Sequence, residues 1–177
     1  MTFSDPTWAG ILPGEPKPFF LESGQGERSA VFDSLVTVLL SGNETQNQFG
    51  MFTLEAPAGR TIVSHTHEDV HEIFYVIEGK VKVFVEDHEG NQEARILTPG
   101  DFGYVPATYL HAFRAEGDFN KILGVCTAGF ERFFQALGKN TDDTMPPMPP
   151  YIPSPEQMGQ AFGKFSNIPK FDQEWKE

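Results

Sequence analysis

The stretch Ala58-Gly-Arg-Thr-Ile-Val-Ser-His65-Thr-His67-Glu-Asp-Val-His71-Glu72-Ile-Phe74, with Gly79 following shortly after, decides how the rest of the chain is read. It holds three of the five histidines. β-Branched Thr61, Ile62 and Val63 lead into it, which is strand composition, and in a strand residues two apart share a face. His65 and His67 therefore project together. After a polar turn, Glu72-Ile-Phe-Tyr-Val-Ile, closed by Glu78-Gly79, returns as a second strand beside the first. The letters His67-Glu-Asp-Val-His71 also spell the H-E-x-x-H pattern of zinc proteases, which needs a helix to place two histidines four apart on one face. Both flanks here form strands, so that pattern lacks its context. In the strand reading His71 and Glu72 point to opposite faces, and only one of them can join the two imidazoles.

Two neutral imidazoles and a carboxylate on facing strands suit a divalent first-row metal once one further ligand arrives. His111 is the natural supplier. It follows Pro99-Gly-Asp-Phe-Gly-Tyr-Val-Pro106, which reads as a turn, a short aromatic strand and a second turn. The spacings Gly59-x5-His65-x-His67-x4-Glu72-x6-Gly79 and Gly100-Asp101-x4-Pro106-x4-His111 resemble the two motifs of the cupin superfamily of small β-barrels. That resemblance selects Glu72 over His71. It implies a jelly-roll barrel in which His65, His67, Glu72 and His111 hold one divalent transition metal ion, with Cu, Ni, Co, Fe and Mn all compatible with the ligand set. Thr108 and Ala115 depart from the second motif, which bears on the local turn more than on His111.

Composition narrows the function classes. The chain has 177 residues, enough for one barrel with an extension at each end. Its 25 acidic against 13 basic residues leave a formal charge of -12, which repels nucleic acid and anionic membranes. Cys126 is the one cysteine, so no internal disulfide forms, and it reads as a buried strand residue. No signal sequence, and no apolar run near the roughly eighteen residues a membrane span requires, is visible. A cytoplasmic protein is expected. The 17 phenylalanines suit a core and also a pocket for a flat aromatic ligand.

Residues 1–28 are rich in Pro and Gly and are expected to form an extended arm. The barrel and its following helix are expected over 29–140, and a Pro-rich connector with a last helix over 141–177. A buried strand is read from Ala30 to Leu40, and an alternating one from Asn47 to Ala56 that carries Met51. Lys80 to Glu86 alternates with Val81, Val83 and Val85 inward, and short strands are read at Ala94–Leu97, Phe102–Val105, His111–Ala115 and Lys121–Thr127. Phe130, Phe133, Phe134 and Leu137 form one helical stripe, expected against the outside of the barrel. Ser154-Pro-Glu-Gln157 opens a second helix with stripe Met158, Ala161, Phe162 and Phe165, which either lids the barrel mouth or docks on its side. The fold class is thus all-β: a cupin jelly-roll barrel with an N-terminal arm and two short C-terminal helices.

Within the superfamily, Glu72-Ile-Phe-Tyr, Thr98-Pro-Gly-Asp-Phe-Gly-Tyr-Val-Pro, His111-Ala-Phe and Gly129-Phe-Glu-Arg-Phe-Phe-Gln-Ala-Leu-Gly resemble the quercetin 2,3-dioxygenase group over about residues 17–140. The resemblance implies O2-dependent opening of a flavonol heterocycle with release of CO, so the partners are a small aromatic substrate and O2. Glu72 would be both weak ligand and base, with a pKa raised by an apolar pocket. Phe74 and Phe113 would flank a planar substrate, with Met51 and Tyr104 as further contacts. A homodimer is the expected assembly. Two other classes fit the same residues: a metal cupin of another reaction, such as an isomerase, cyclase or ring-cleaving enzyme, and a small-molecule-binding cupin without chemistry.

Overall fold

A computed structural model describes residues 10–176 of the chain, so the first nine residues of the expected arm lie outside the described residues. The strands are β1 (Glu27–Val31), β2 (Ser34–Leu40), β3 (Phe49–Pro57), β4 (Thr61–His67), β5 (Glu72–Glu78), β6 (Val81–Glu86), β7 (Gln92–Leu97), β8 (Phe102–Val105), β9 (Leu110–Ala115) and β10 (Phe119–Thr127). Helix α1 (Glu131–Leu137), β11 (Lys139–Asn140), α2 (Pro155–Lys164) and β12 (Asn167–Pro169) complete the order. All pairings are antiparallel. A seven-stranded sheet runs β11-β1-β2-β3-β10-β5-β8, and a five-stranded sheet runs β12-β4-β9-β6-β7. The chain is a jelly roll, as its short, turn-punctuated strands imply.

The two sheets enclose a core of inward residues, among them Val36, Val38, Leu54, Val76, Val81, Val105 and Ile122, all nearly fully buried. Each such side chain contributes roughly 1.5–3 kcal/mol relative to exposure. Gly124 is bare because a Cβ there would strike the Phe52 ring, which packs 4.6 Å from Phe134. Gly79 turns β5 into β6 at φ 84°. Buried Asn120 locks that turn: its Oδ1 accepts from Lys80 N at 2.9 Å and Gly117 N at 3.0 Å, and its Nδ2 donates to Gly117 O at 2.7 Å.

Three expectations are revised. The stretch Ala30–Leu40 is not one strand but the end of β1, a two-residue turn at Phe32-Asp33, and β2; Val31 pairs with Ser34 across it. Apolar residues on both sides hid the turn, and Phe32 adopts φ 54° where a glycine would be the usual signal. Helix α1 does not lie on the outer wall. Its stripe closes one end of the barrel and faces a cavity, and α2 stacks over it, with Phe162 5.9 Å from Phe133. Finally, β11 and β12 are edge strands too short for periodicity to reveal; β12 pairs Asn167 with His67 and Pro169 with His65.

Among the described residues, no helix is long and apolar enough to cross a membrane. Cys126 is a buried free thiol, its pKa raised by burial and by Glu131.

Candidate metal centre

His65 and His67 leave β4 on the same side, as strand alternation requires. His111 sits opposite His65 on neighbouring β9, and Glu72 opens β5 in the other sheet. One ligand atom from each of these four residues lies within 4.8 Å of the others, and all four side chains are buried. His71 faces outward, where Tyr104 Oη lies 2.8 Å from its Nδ1. Strand parity thus separates His71 from Glu72, and the H-E-x-x-H helix does not form.

The donor set fits a divalent metal ion on three observations. His65 Nδ1 lies 2.7 Å from Val63 O and His111 Nδ1 3.1 Å from Tyr109 O, so each ring donates there and leaves its Nε2 lone pair for the centre. His67 is 1% exposed, and neither of its ring nitrogens has a hydrogen-bond partner. A buried orphan of that kind costs about 1–3 kcal/mol, which ligation would remove. Third, Glu72 Oε2 lies 2.6 Å from His111 Nε2 and 3.6 Å from His67 Nε2, so all three converge on one point.

The electrostatics correct one expectation. Burial alone would raise the Glu72 pKa, yet the hydrogen bond to the His111 imidazole, with the His67 imidazole close by, outweighs it and holds the carboxyl well below the usual range. Burial likewise opposes charge on His111, but Glu72 wins and its pKa rises. Burial, reinforced by His111, pushes His65 down to about 3. At neutral pH Glu72 is therefore ionised and His65 neutral, while His111 holds its proton more tightly than a free imidazole does.

Beside the centre lies a cavity of about 270 Å³ reached by His65, Glu72 and His111. Phe74 and Phe113 both line it, their rings 6.0 Å apart. Met51 and Tyr104 do not. Met51 is on the face of β3 opposite Phe52 and Leu54, and Tyr104 is half exposed on β8. Strand parity left the Met51 face undecided, and the cavity takes the other one.

Sequence reasoning missed several lining residues. Register changes between Ile62 and His65 where β4 meets β9: three steps on β4 oppose the two from Phe113 to His111. This irregularity turns both Ile62 and His65 inward, where plain alternation separates them. Phe130, whose ring lies 4.4 Å from His67, enters from the turn before α1. Met158, Phe162 and Pro169 come from the last segment and close the cavity. The signal for α2 was its Met and Phe stripe; Pro169 carried none.

Comparison with known proteins gives the following. Residues 52–124 match the Cupin domain family. The chain is 38% identical over 128 residues to quercetin 2,3-dioxygenase of Bacillus subtilis (strain 168), covering 72% of this chain and 36% of that protein. It is 27% identical over 159 residues to quercetin 2,3-dioxygenase of Aspergillus japonicus, covering 88% and 45%. The chain thus spans less than half the length of these two curated relatives. The solved structure of KdgF from Halomonas sp. superposes with a TM-score of 0.55 at 19% identity, over 63% of this chain and 94% of that one, and shares the fold.

Proposed function

Because this barrel is a cupin domain similar to those of quercetin 2,3-dioxygenases, we propose that the chain is a metal-dependent dioxygenase that opens the heterocyclic ring of a flavonol such as quercetin with O2 and releases CO. The observation that carries this reading is a buried three-imidazole, one-carboxylate cluster opening onto a small, phenylalanine-lined cavity. His65, His67, Glu72 and His111 would hold one divalent transition metal ion. When bound, that ion supplies Lewis acidity toward the substrate's enolic oxygens and electron exchange with O2.

The chain's own residues supply the rest. Phe74 and Phe113 give a planar substrate two apolar faces, tilted by 60° to each other, and orient its enol edge toward Glu72. Glu72, ionised at neutral pH, accepts the 3-hydroxyl proton at Oε2. Phe130 and the α2 stripe exclude water from the cavity, which protects the deprotonated substrate from reprotonation and strengthens every polar contact made there. Tyr75, Ile77, Phe102 and Tyr104 leave an apolar patch exposed on the outer face of the seven-stranded sheet, which we read as a homodimer contact, tested by sedimentation.

The deciding experiment is incubation of metal-loaded protein with quercetin, aerobically and anaerobically. The reading requires O2-dependent loss of the flavonol's visible absorbance with matching CO. Persistence of the chromophore in air with metal fully loaded would refute it and favour another enolisable aromatic substrate.

A further inference from the structure

The cavity has two ends of different chemistry. His65, Glu72 and His111 stand at one; at the other is Arg60, the one arginine or lysine among the lining residues. Arg60 precedes His65 by five positions on the same chain segment, roughly 15 Å of extended backbone. The wall between them is apolar, with Ile62, Phe74 and Phe113.

Arg60 is built into the wall. Its side chain is only 18% exposed, its Nε lies 3.2 Å from Asp33 Oδ1, and its guanidinium carbon sits 4.5 Å over the Phe32 ring. Its carbonyl accepts from Ala115 N at 2.8 Å, which fixes the backbone. Phe32 itself occupies the turn at φ 54°, a conformation glycine takes freely and phenylalanine does not. A strained residue therefore presents its ring to both the cavity and the guanidinium. Asp33 pairs with the Nε side by charge, Nε itself has no hydrogen-bond partner, and among the described residues no hydrogen bond engages Nη1 or Nη2. Two forked donors are left at the far end of an otherwise greasy slot.

We propose that Arg60 selects the substrate by charge, binding an anionic or phenolic oxygen at the end of an elongated aromatic molecule opposite the oxygens that face Glu72 and the histidines. The inference deepens the flavonol reading and rests on it for the occupant of the site. A guanidinium fork suits a carboxylate or phenolate in two-point contact, and a desolvated site strengthens that contact. Arg60 thereby discriminates among planar molecules that share the enol but differ in distal hydroxylation.

The test uses metal-loaded protein and two fluorescent probes of one aromatic frame, 6-(p-toluidino)naphthalene-2-sulfonate and its uncharged parent, N-(p-tolyl)-2-naphthylamine. Wild type is expected to prefer the sulfonate. Arg60→Met should weaken sulfonate binding about tenfold, as loss of one charged hydrogen bond implies, and leave the uncharged probe unchanged. Arg60→Gln keeps a polar stem and should lose the same preference. Retention of the preference by a folded variant, or equal weakening of both probes, overturns the proposal. Protein that shows the Arg60-dependent preference but turns over no flavonol would refute the dioxygenase reading alone.

Discussion

Replacing Glu72 with Gln separates the two roles one carboxylate holds. The amide keeps the shape and an oxygen donor but accepts no proton, while three imidazoles remain around the ion. Turnover of a flavonol is therefore expected to fall by about 10²–10⁴-fold, with metal retained in part by elemental analysis. His111 carries a second consequence. In the metal-free centre Glu72 raises its pKa, whereas ligation requires its lone pair. Below the folded pKa of His111, metal uptake must then release that proton, and His65, pushed down to about 3, adds none. Calorimetric titration should show a binding heat that varies with the ionisation heat of the buffer. The apparent affinity should rise by about tenfold per pH unit below the folded pKa of His111 and level off above it. A buffer-independent heat at pH 6.5, where a raised pKa keeps His111 more than half protonated, would contradict that shift. At this scale the donors were legible because strand parity and motif spacing both act on single residues. The low pKa of Glu72 was not, since it depends on which imidazole nitrogen faces the carboxylate after folding.

Helix α1 has no basic residue in its last turn, so the carbonyls at its end need donors from elsewhere. Gln157 of α2 provides one amide for three of them: Nε2 lies 3.1 Å from Ala136 O, 3.1 Å from Leu137 O and 2.9 Å from Gly138 O. Tyr151 Oη donates to its Oε1 at 2.8 Å and orients it. Gln157→Leu is expected to lower stability by about 1–3 kcal/mol, read as a fall in Tm, with metal stoichiometry unchanged. An unaltered Tm would show that water serves those carbonyls equally well. The start of α2 was plain in Ser154-Pro-Glu-Gln157, and Ser154 Oγ accepts from Gln157 N at 3.1 Å as a cap should. The docking of the two helices was not plain, because an apolar stripe reveals that a face is buried and not what buries it. The turn at Phe32-Asp33 escaped for a related reason: a left-handed backbone on a phenylalanine leaves no mark in composition.

The four candidate donors belong to both sheets, Glu72 to the seven-stranded one and the three histidines to the five-stranded one. An ion held between them is a cross-link of the barrel as well as a reagent. Metal at about a hundredfold over its Kd should contribute about 2.7 kcal/mol, raising Tm by roughly 5–10 °C for a domain of this size; chelation should reverse the shift, and a Tm indifferent to chelator would argue against ligation across the sheets. The last strand extends this dependence along the chain. It borders β4 beside both His65 and His67, and Trp175 Nε1 donates to Ser64 Oγ at 2.8 Å just behind it. A polypeptide still emerging from the ribosome can expose all four donors as soon as residue 111 is out, yet it lacks the edge that steadies two of them until some sixty residues later. Loading of the ion is thereby expected to follow the seating of β12 on β4.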